Sequence, residues 1–459
     1  MSEGEYKFLR FIPYKDFLLW DVKRYGKTKT SFHNGVLLKD ILTPYSQPLS
    51  KETMKSNNWQ IISKINFGGQ LFLRDIQELN TFKGNLCKVD DGVLIYSKIN
   101  VRHGCVYYHP IGSVPFGVSS EYPAYRVDDK RVLGAFIVKV IQSNTFKKLL
   151  SQRSTGISKA RVKPMEFLNT EIPLPSLQEQ QDILTEYDAK IRQAEAFEKE
   201  AQQISKDIEE YLAITLGMTE SSYNMIYHKT QKYFSFIKYK DLSVWGTDLL
   251  LNGQKQTVYK YPVLKIREIC SLGSGGTPSR SQNEYYKGNI PWIKTGEVIN
   301  EEILDTEEHI TEEAVANSSA KLYPKGSLII AMYGQGDTRG RTAKLGVDAT
   351  TNQACAVLYN INNEIVSTDY LWYYLQGRYH DLRSLASGNN QPNLNAGKIN
   401  SYDVVIPPKE VQDEIVTYIK NQKNKARELA SRASDIKKDA LINLERQIFE
   451  QKEMSLSSS

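Results

Sequence analysis

The sequence predicts an α+β chain: two similar α/β domains joined by two long helices. Packed antiparallel as a coiled coil, these helices would give a pseudo-two-fold arrangement. Three observations predict it. Motifs recur in one order about half a chain apart, a narrow apolar stripe follows each half, and short strand-like runs alternate with turn residues inside each half.

The internal repeat decides the architecture before any local propensity does. Phe11–Trp20 and Phe236–Trp245 are identical at six of ten positions, at an offset of 225. Leu38–Ile41 recurs as Ile266–Ile269 (offset 228), Ser154–Gly156 as Ala386–Gly388 (232), and Ile172–Ile183 as Val404–Ile415 (232). Offsets that drift by only seven residues over four ordered matches mark a duplication. A period of half the chain is far above the roughly 20–50 residues of a solenoid repeat. Each copy is therefore a whole module, a globular part followed by a helical arm.

The first arm follows Pro173 and Pro175, with Ser176 as N-cap and Glu179 three residues on, the pattern of a capping box. Its stripe runs Ile183, Tyr187, Ile191, Ala194, Phe197, Ala201, Ile204, Ile208, Tyr211. The second arm follows Pro407 and Pro408, with Ile415, Ile419, Gln422, Ala426, Leu429, Ala433, Ile436 and Ala440. Steps of three and four residues are the spacing of a coiled-coil seam. One such helix cannot bury its stripe alone, but two in one chain can bury theirs together. The competing arrangement packs each helix along its own globular part. About 40 helical residues would make a rod of about 60 Å. Antiparallel pairing would set two non-identical heads at its ends, fit to read an asymmetric, two-part DNA sequence, as dimeric readers do with half-sites.

In the globular halves, Gly92–Tyr96, Phe136–Val140, Gly326–Ala331 and Ala354–Leu358 read as strands, and Asn144–Ser151 and Thr368–Ala386 as helices. The loops hold the polar and basic side chains. Tyr333–Arg341 carries Gln335, Arg339 and Arg341, and Ser387–Asn393 carries Asn389, Asn390 and Gln391. Arginine pairs bidentately with guanine, and asparagine or glutamine with adenine. The matching positions of the first half hold Lys98, Arg102 and His103, then Lys159 and Arg161. Arg280 and Lys294 complete the candidate DNA-binding set. A solvated surface residue is the alternative for each taken singly.

The bulk properties fit this reading. The net charge is only +6, but the first arm (176–216) is −6 and the second (409–453) +1, so the remainder carries +11. A nucleic-acid surface is sought there. Four scattered cysteines form no CxxC, as in a reducing cytoplasm without disulfides or zinc. No apolar run approaches a membrane span, and the acidic N-terminus, Met1 to Glu5, is unlike a secretory signal. Gly26-Lys27-Thr28 lacks the earlier glycine of a P-loop, since Asp21 stands there. Gly273–Pro278 fits no phosphate-binding pattern, and Phe67-Gly68-Gly69 lacks the surroundings of an amino-methyltransferase. No HExxH or GxSxG is present, so no catalytic and no metal residues are expected.

Gly276–Ser279, Tyr285–Gly288 and Asn289–Gly296, and then Gly388–Asn395 with Val405–Pro408, resemble the opening and close of a target recognition domain. Domains of this kind belong to Type I restriction–modification specificity subunits. In the first half, Ile172–Ile183 resembles the entry to the spacer helix, whereas Leu71–Ile76 only approximates the opening motif. The resemblance implies target recognition domains at 1–175 and 235–408, and spacer helices at 176–218 and 409–453. It leaves a linker at 219–234 and a tail at 454–459. It implies a non-catalytic, cytoplasmic subunit that binds double-stranded DNA and no cofactor itself. Two methyltransferase subunits using S-adenosylmethionine, and restriction subunits using ATP with magnesium, would be its partners. A self-contained methyltransferase or nuclease fusion, and a coiled-coil scaffold without DNA, are the alternatives. The first would show as S-adenosylmethionine binding by the isolated chain, the second as absence of salt-sensitive binding to specific DNA.

Overall fold

The computed structural model describes residues 32, 34–82, 84–153, 161–221, 256–334, 336–385 and 394–450. The repeated motifs Phe11–Trp20, Phe236–Trp245, Ser154–Gly156 and Ala386–Gly388 lie outside them. The chain divides into two compact units, Met1–Phe197 with Ser431–Ser459, and Glu198–Ala430. Each therefore contains part of both long helices.

Among the described residues, the strands of the first unit are β1 (Gly35–Leu37), β2 (Leu42–Tyr45), β3 (Pro48–Leu49), β4 (Ile61–Ile65), β5 (Leu71–Arg74) and β6 (Leu86–Val89). They continue with β7 (Val93–Tyr96), β8 (Val106–Tyr108), β9 (Phe116–Ser119), β10 (Ala124–Val127) and β11 (Glu171–Pro173). Its helices are α1 (Lys51–Ser56), α2 (Gly134–Gln142), α3 (Asn144–Arg153), α4 (Pro164–Leu168) and the start of α5 (Leu177–Thr215). The second unit has β12 (Thr219–Ser221), β13 (Gln256–Val258), β14 (Val263–Lys265), β15 (Ser271–Ser274), β16 (Ile290–Ile293) and β17 (Glu302–Ile303). After these come β18 (His309–Ile310), β19 (Leu328–Ala331), β20 (Thr342–Leu345), β21 (Thr350–Thr351), β22 (Cys355–Tyr359) and β23 (Asp403–Val405). Its helices are α6 (Ile266–Ile269), α7 (Glu312–Ala316), α8 (Thr368–Gly377), α9 (Tyr379–Ser384), α10 (Ala396–Asn400) and the start of α11 (Lys409–Phe449).

The two units share one plan. The main sheet runs β2-β10-β7-β8 in the first and β15-β22-β19-β20 in the second, where β17 adds an edge strand. Every neighbouring pair in the shared order is antiparallel. The closing two-stranded ribbon recurs as β1 with β11 and β14 with β23. The inserts differ: a five-stranded sheet β3-β6-β9-β4-β5 in the first unit, a three-stranded sheet β18-β16-β21 in the second. A duplication that keeps the frame and changes the insert explains why the repeat reads clearly only at its ends.

One expected strand is a helix. Phe136–Val140 lies inside α2, where Phe136, Ile137, Val140 and Ile141 are fully buried. Burial at steps of one, three and one is a helical face. The β-branched run Ile137-Val138-Lys139-Val140-Ile141 favours a strand by propensity, and packing on the sheet overrides it. The other three expected strands are present as β7, β19 and β22.

The long helices begin as the sequence predicts. Glu179 Oε2 accepts from Ser176 N at 2.8 Å, and Glu179 N donates to Ser176 Oγ at 3.3 Å, closing the capping box. The Ser176 hydroxyl, which donates to the same carboxylate at 2.7 Å, and the Ser176 N–H hold the Glu179 carboxyl below the usual glutamate range. The stripe residues of both arms are all buried or half-buried. In the second unit Tyr211 stacks on Tyr418 at 3.8 Å and Glu200 pairs with Lys425 at 2.8 Å, so the two helices run antiparallel there. In the first unit Glu186 accepts from Asn443 and Gln447, each at 2.6 Å. Both expected modes of burial occur together. Leu184, Leu444 and Ile448 join the core of the first globular part, and Leu212, Ile415 and Ile419 that of the second.

A buried glutamine fixes each helix to its unit. Gln180 Oε1 accepts from Leu133 N at 2.8 Å, and its Nε2 donates to Arg131 O at 3.0 Å and Pro175 O at 2.8 Å. Gln412 does the same with Ser367 N (2.8 Å), Ile365 O (3.0 Å) and Pro407 O (2.9 Å). Both side chains are fully buried, and the two sets of partners occupy equivalent places in the repeat.

Asp369, in the first turn of α8, binds Lys344 of β20 at 3.0 Å and Lys420 of α11 at 2.6 Å. Burial works to raise its carboxyl, but Lys420 and Lys344 outweigh it and hold it below the ordinary aspartate range. A depressed folded-state pKa stabilises above the unfolded value, near 3.9, and is lost as pH falls through the folded one. Asp369→Asn is therefore expected to flatten the loss of stability on acidification below about pH 4. Urea midpoints measured against pH check this, and parallel curves for variant and parent would refute it.

Candidate nucleic-acid interface

The candidate residues of the two halves fall in equivalent loops. Lys98, Arg102 and His103 occupy the β7–β8 connection, and Arg339 and Arg341 the β19–β20 connection. Arg161 precedes α4, as the amide-rich segment precedes α10. Lys159, Gln335, Asn389, Asn390 and Gln391 lie outside the described residues. In each unit one backbone hydrogen bond ties the hairpin loop to the segment before the short helix. Val162 N donates to Lys98 O at 2.8 Å, and Leu394 N to Met332 O at 3.3 Å.

In the first unit Lys98 Nζ donates to Ser120 O at 2.5 Å, and Arg161 pairs with Glu121 at 3.4 Å while remaining well exposed. Lys98 N donates to Glu121 O at 3.1 Å, so Lys98 and Arg161 share one corner. Three residues on from Lys98, a short 3-10 helix, Val101–His103, carries Arg102 and an exposed His103. Arg102 Nε and Nη2 are buried without a hydrogen-bond partner.

In the second unit α9 props up the arginine loop. Tyr379 Oη donates to Asp337 O at 2.9 Å, and Arg383 Nη1 to Arg339 O at 3.3 Å and Tyr379 Oη at 2.9 Å. The turn inside the loop needs left-handed backbone at Gly336 (φ 66°) and Gly340 (φ 88°). Arg341 lies 4.0 Å from Asp337, a loose, solvent-screened pair that leaves its guanidinium open to another acceptor. Sequence reasoning missed Tyr379 and Arg383, which act through loop backbone that no motif reveals.

Arg280 and Lys294 are placed elsewhere, by the three-stranded insert. Arg280 binds Glu308 at 2.6 Å and lies over Tyr286 and Trp292 at 4.1 and 5.0 Å. Lys294 binds Glu307 at 3.0 Å and Glu308 at 3.1 Å. The bond from Arg280 holds the Glu308 carboxyl below its usual range, and the glutamates raise Lys294 in turn. These two cations are neutralised within the unit. Nearby, Trp292 Nε1 donates to Gly276 O at 2.9 Å, and a Cβ on Gly275 would strike Thr351 O. The glycine motif is thus a close-packed segment following β15.

Among the described residues, no group of three or more His, Cys, Asp or Glu could hold a metal ion. No described helix is long and apolar enough to cross a membrane. The four cysteines are free, Cys105 and Cys355 being buried.

The fold and loops define a tandem-duplicated α+β protein that presents an equivalent polar hairpin loop from each half. Residues 260–434 match the family model described as Type I restriction modification DNA specificity domain. The chain is 28% identical over 213 residues to the Type I restriction enzyme MjaIX specificity subunit of Methanocaldococcus jannaschii, covering 44% of this chain and 48% of that one. It is 31% identical over 155 residues to the EcoR124I/EcoR124II specificity subunit of Escherichia coli, covering 33% and 38%. The chain thus spans about half the length, or less, of the curated relatives it matches. A chain from a solved structure concerned with complex assembly and conformational transition of the type I R-M system superposes with a TM-score of 0.59. It covers 92% of this chain and 98% of its own at 16% identity, a likeness of fold. Residues 260–434 thus carry the DNA specificity domain of Type I restriction–modification systems, and both curated relatives are specificity subunits of such systems. The family-model match lies in the second half, whose main sheet order the first half shares.

Proposed function

We propose that this chain is the DNA-specificity subunit of a Type I restriction–modification complex. Each unit reads one half of a bipartite, asymmetric target, and partner subunits carry out adenine methylation and restriction. The observation that carries this reading is the pair of equivalent hairpin loops, each bearing basic residues and each tied to a second candidate segment. Lys98, Arg102, His103, Lys159 and Arg161 serve one half-site. Gln335, Arg339, Arg341, Asn389, Asn390 and Gln391 serve the other, by contacts to base edges and phosphates. Arg280 and Lys294 have a supporting place, since glutamates already hold them. The chain itself is non-catalytic. S-adenosylmethionine, and ATP with magnesium, would be held by two methyltransferase subunits and by restriction subunits.

The test is methylome sequencing of cells that carry the complete system, before and after residues 1–175 are replaced by the equivalent part of a relative. One half of the methylated motif should change and the other stay. A change in both halves, or in neither, would overturn the proposal.

A further inference from the structure

The β4–β5 turn carries Phe67-Gly68-Gly69, a motif that matches no enzyme signature. It is built to hold an aromatic ring in the open. Phe67 is 66% exposed, yet nearly every polar group of its turn is tied down. Asn66 Oδ1 accepts from Gly68 N at 3.1 Å and Gln70 N at 2.8 Å, and Gly69 N donates to Asn66 O at 3.0 Å. From α2, Gln142 Nε2 donates to Gly68 O at 3.1 Å and Gly104 O at 3.4 Å, fastening the turn to the loop that follows Arg102 and His103. Gly69 needs φ 81° there, and a Cβ on it would collide with Gln142. The Phe67 ring lies 5.1 Å from that of the exposed His103.

Single exposed apolar residues are common and mean little by themselves. Here the backbone that carries the ring is tied down and the ring is set against the basic hairpin loop, a surface whose charge suits a polyanion. An aromatic face in such company suits the C5 methyl of thymine, the apolar group that the major groove presents to a phenylalanine. We infer that Phe67 is a specificity-determining residue of the first unit, packing on a thymine methyl in its half-site. This rests on the DNA-reading function proposed above.

The assembled complex is tested on its target duplex, with each thymine replaced in turn by deoxyuridine, which lacks only the methyl. Loss of one buried methyl corresponds to about a fourfold weaker binding. Wild type should lose about that much at one thymine. Phe67→Ala should bind the parent duplex about as weakly and be indifferent to that replacement. Phe67→Trp should keep the sensitivity, and Phe72→Ala, at an exposed aromatic of β5, should behave as wild type. Unaltered methyl sensitivity in Phe67→Ala, an equal loss in Phe72→Ala, or a half-site without an A·T pair would overturn the inference and leave the DNA-reading proposal standing. If the wild-type complex prefers no duplex at all, the proposal and the inference fall together.

Discussion

Replacing Gln412 by alanine is expected to destabilise the second unit by about 3 kcal/mol. The side chain is fully buried and satisfies Ser367 N–H, Ile365 O and Pro407 O at once. Its removal orphans three buried or half-buried backbone groups, each worth about 1 kcal/mol when left without a partner. For a unit of this size that corresponds to a fall in melting temperature of roughly 6–12 °C. Calorimetry should show it, with hydrogen exchange accelerated first at Ser367. Gln180→Ala should produce the equivalent loss in the first unit, with Leu133 as the reporting amide. A shift below about 0.5 kcal/mol, the size of a neutral surface change, would mean the clamp is dispensable.

The second large effect concerns binding. Replacing Arg339 and Arg341 together by alanine is expected to weaken binding of the assembled complex to its target by roughly 10- to 100-fold, the range for loss of bidentate base contacts. The loss on an unrelated duplex should be under about tenfold, because phosphate contacts made by other residues remain. Titrations at several salt concentrations separate the two contributions. Equal losses on both duplexes would place these arginines on the backbone rather than on base edges.

The frame of this protein was legible because a duplication prints its geometry twice. Ile172–Ile183 and Val404–Ile415 both lead into a long helix as read, and the structure adds a two-stranded ribbon ahead of each. The long stripes were legible because a three–four spacing has no other regular use. The same comparison aligns Gln180 with Gln412, a signal that was present but reads as an ordinary surface amide until the burial is seen. The inserted sheets were not legible. Their strands are short, with β3, β18 and β21 only two residues each, and tertiary pairing rather than periodicity creates them. Phe136–Val140 was misread because a β-branched run has the same composition in a strand and in a buried helix. Among site residues the hairpin cations were legible by type. The props Tyr379 and Arg383 were not, because they act on main-chain atoms.

The division of the chain also bears on how it is made. The second unit is one continuous stretch, Glu198–Ala430, whereas the first borrows Ser431–Ser459 from the far end. Asn144 N meets Glu445 Oε1 at 2.6 Å across 301 positions, and Leu444 and Ile448 fill a core that begins at Leu38. On the ribosome, where domains ordinarily finish in the order of their synthesis, the earlier half must wait with an open flank until the last turns emerge. The later half is complete before it.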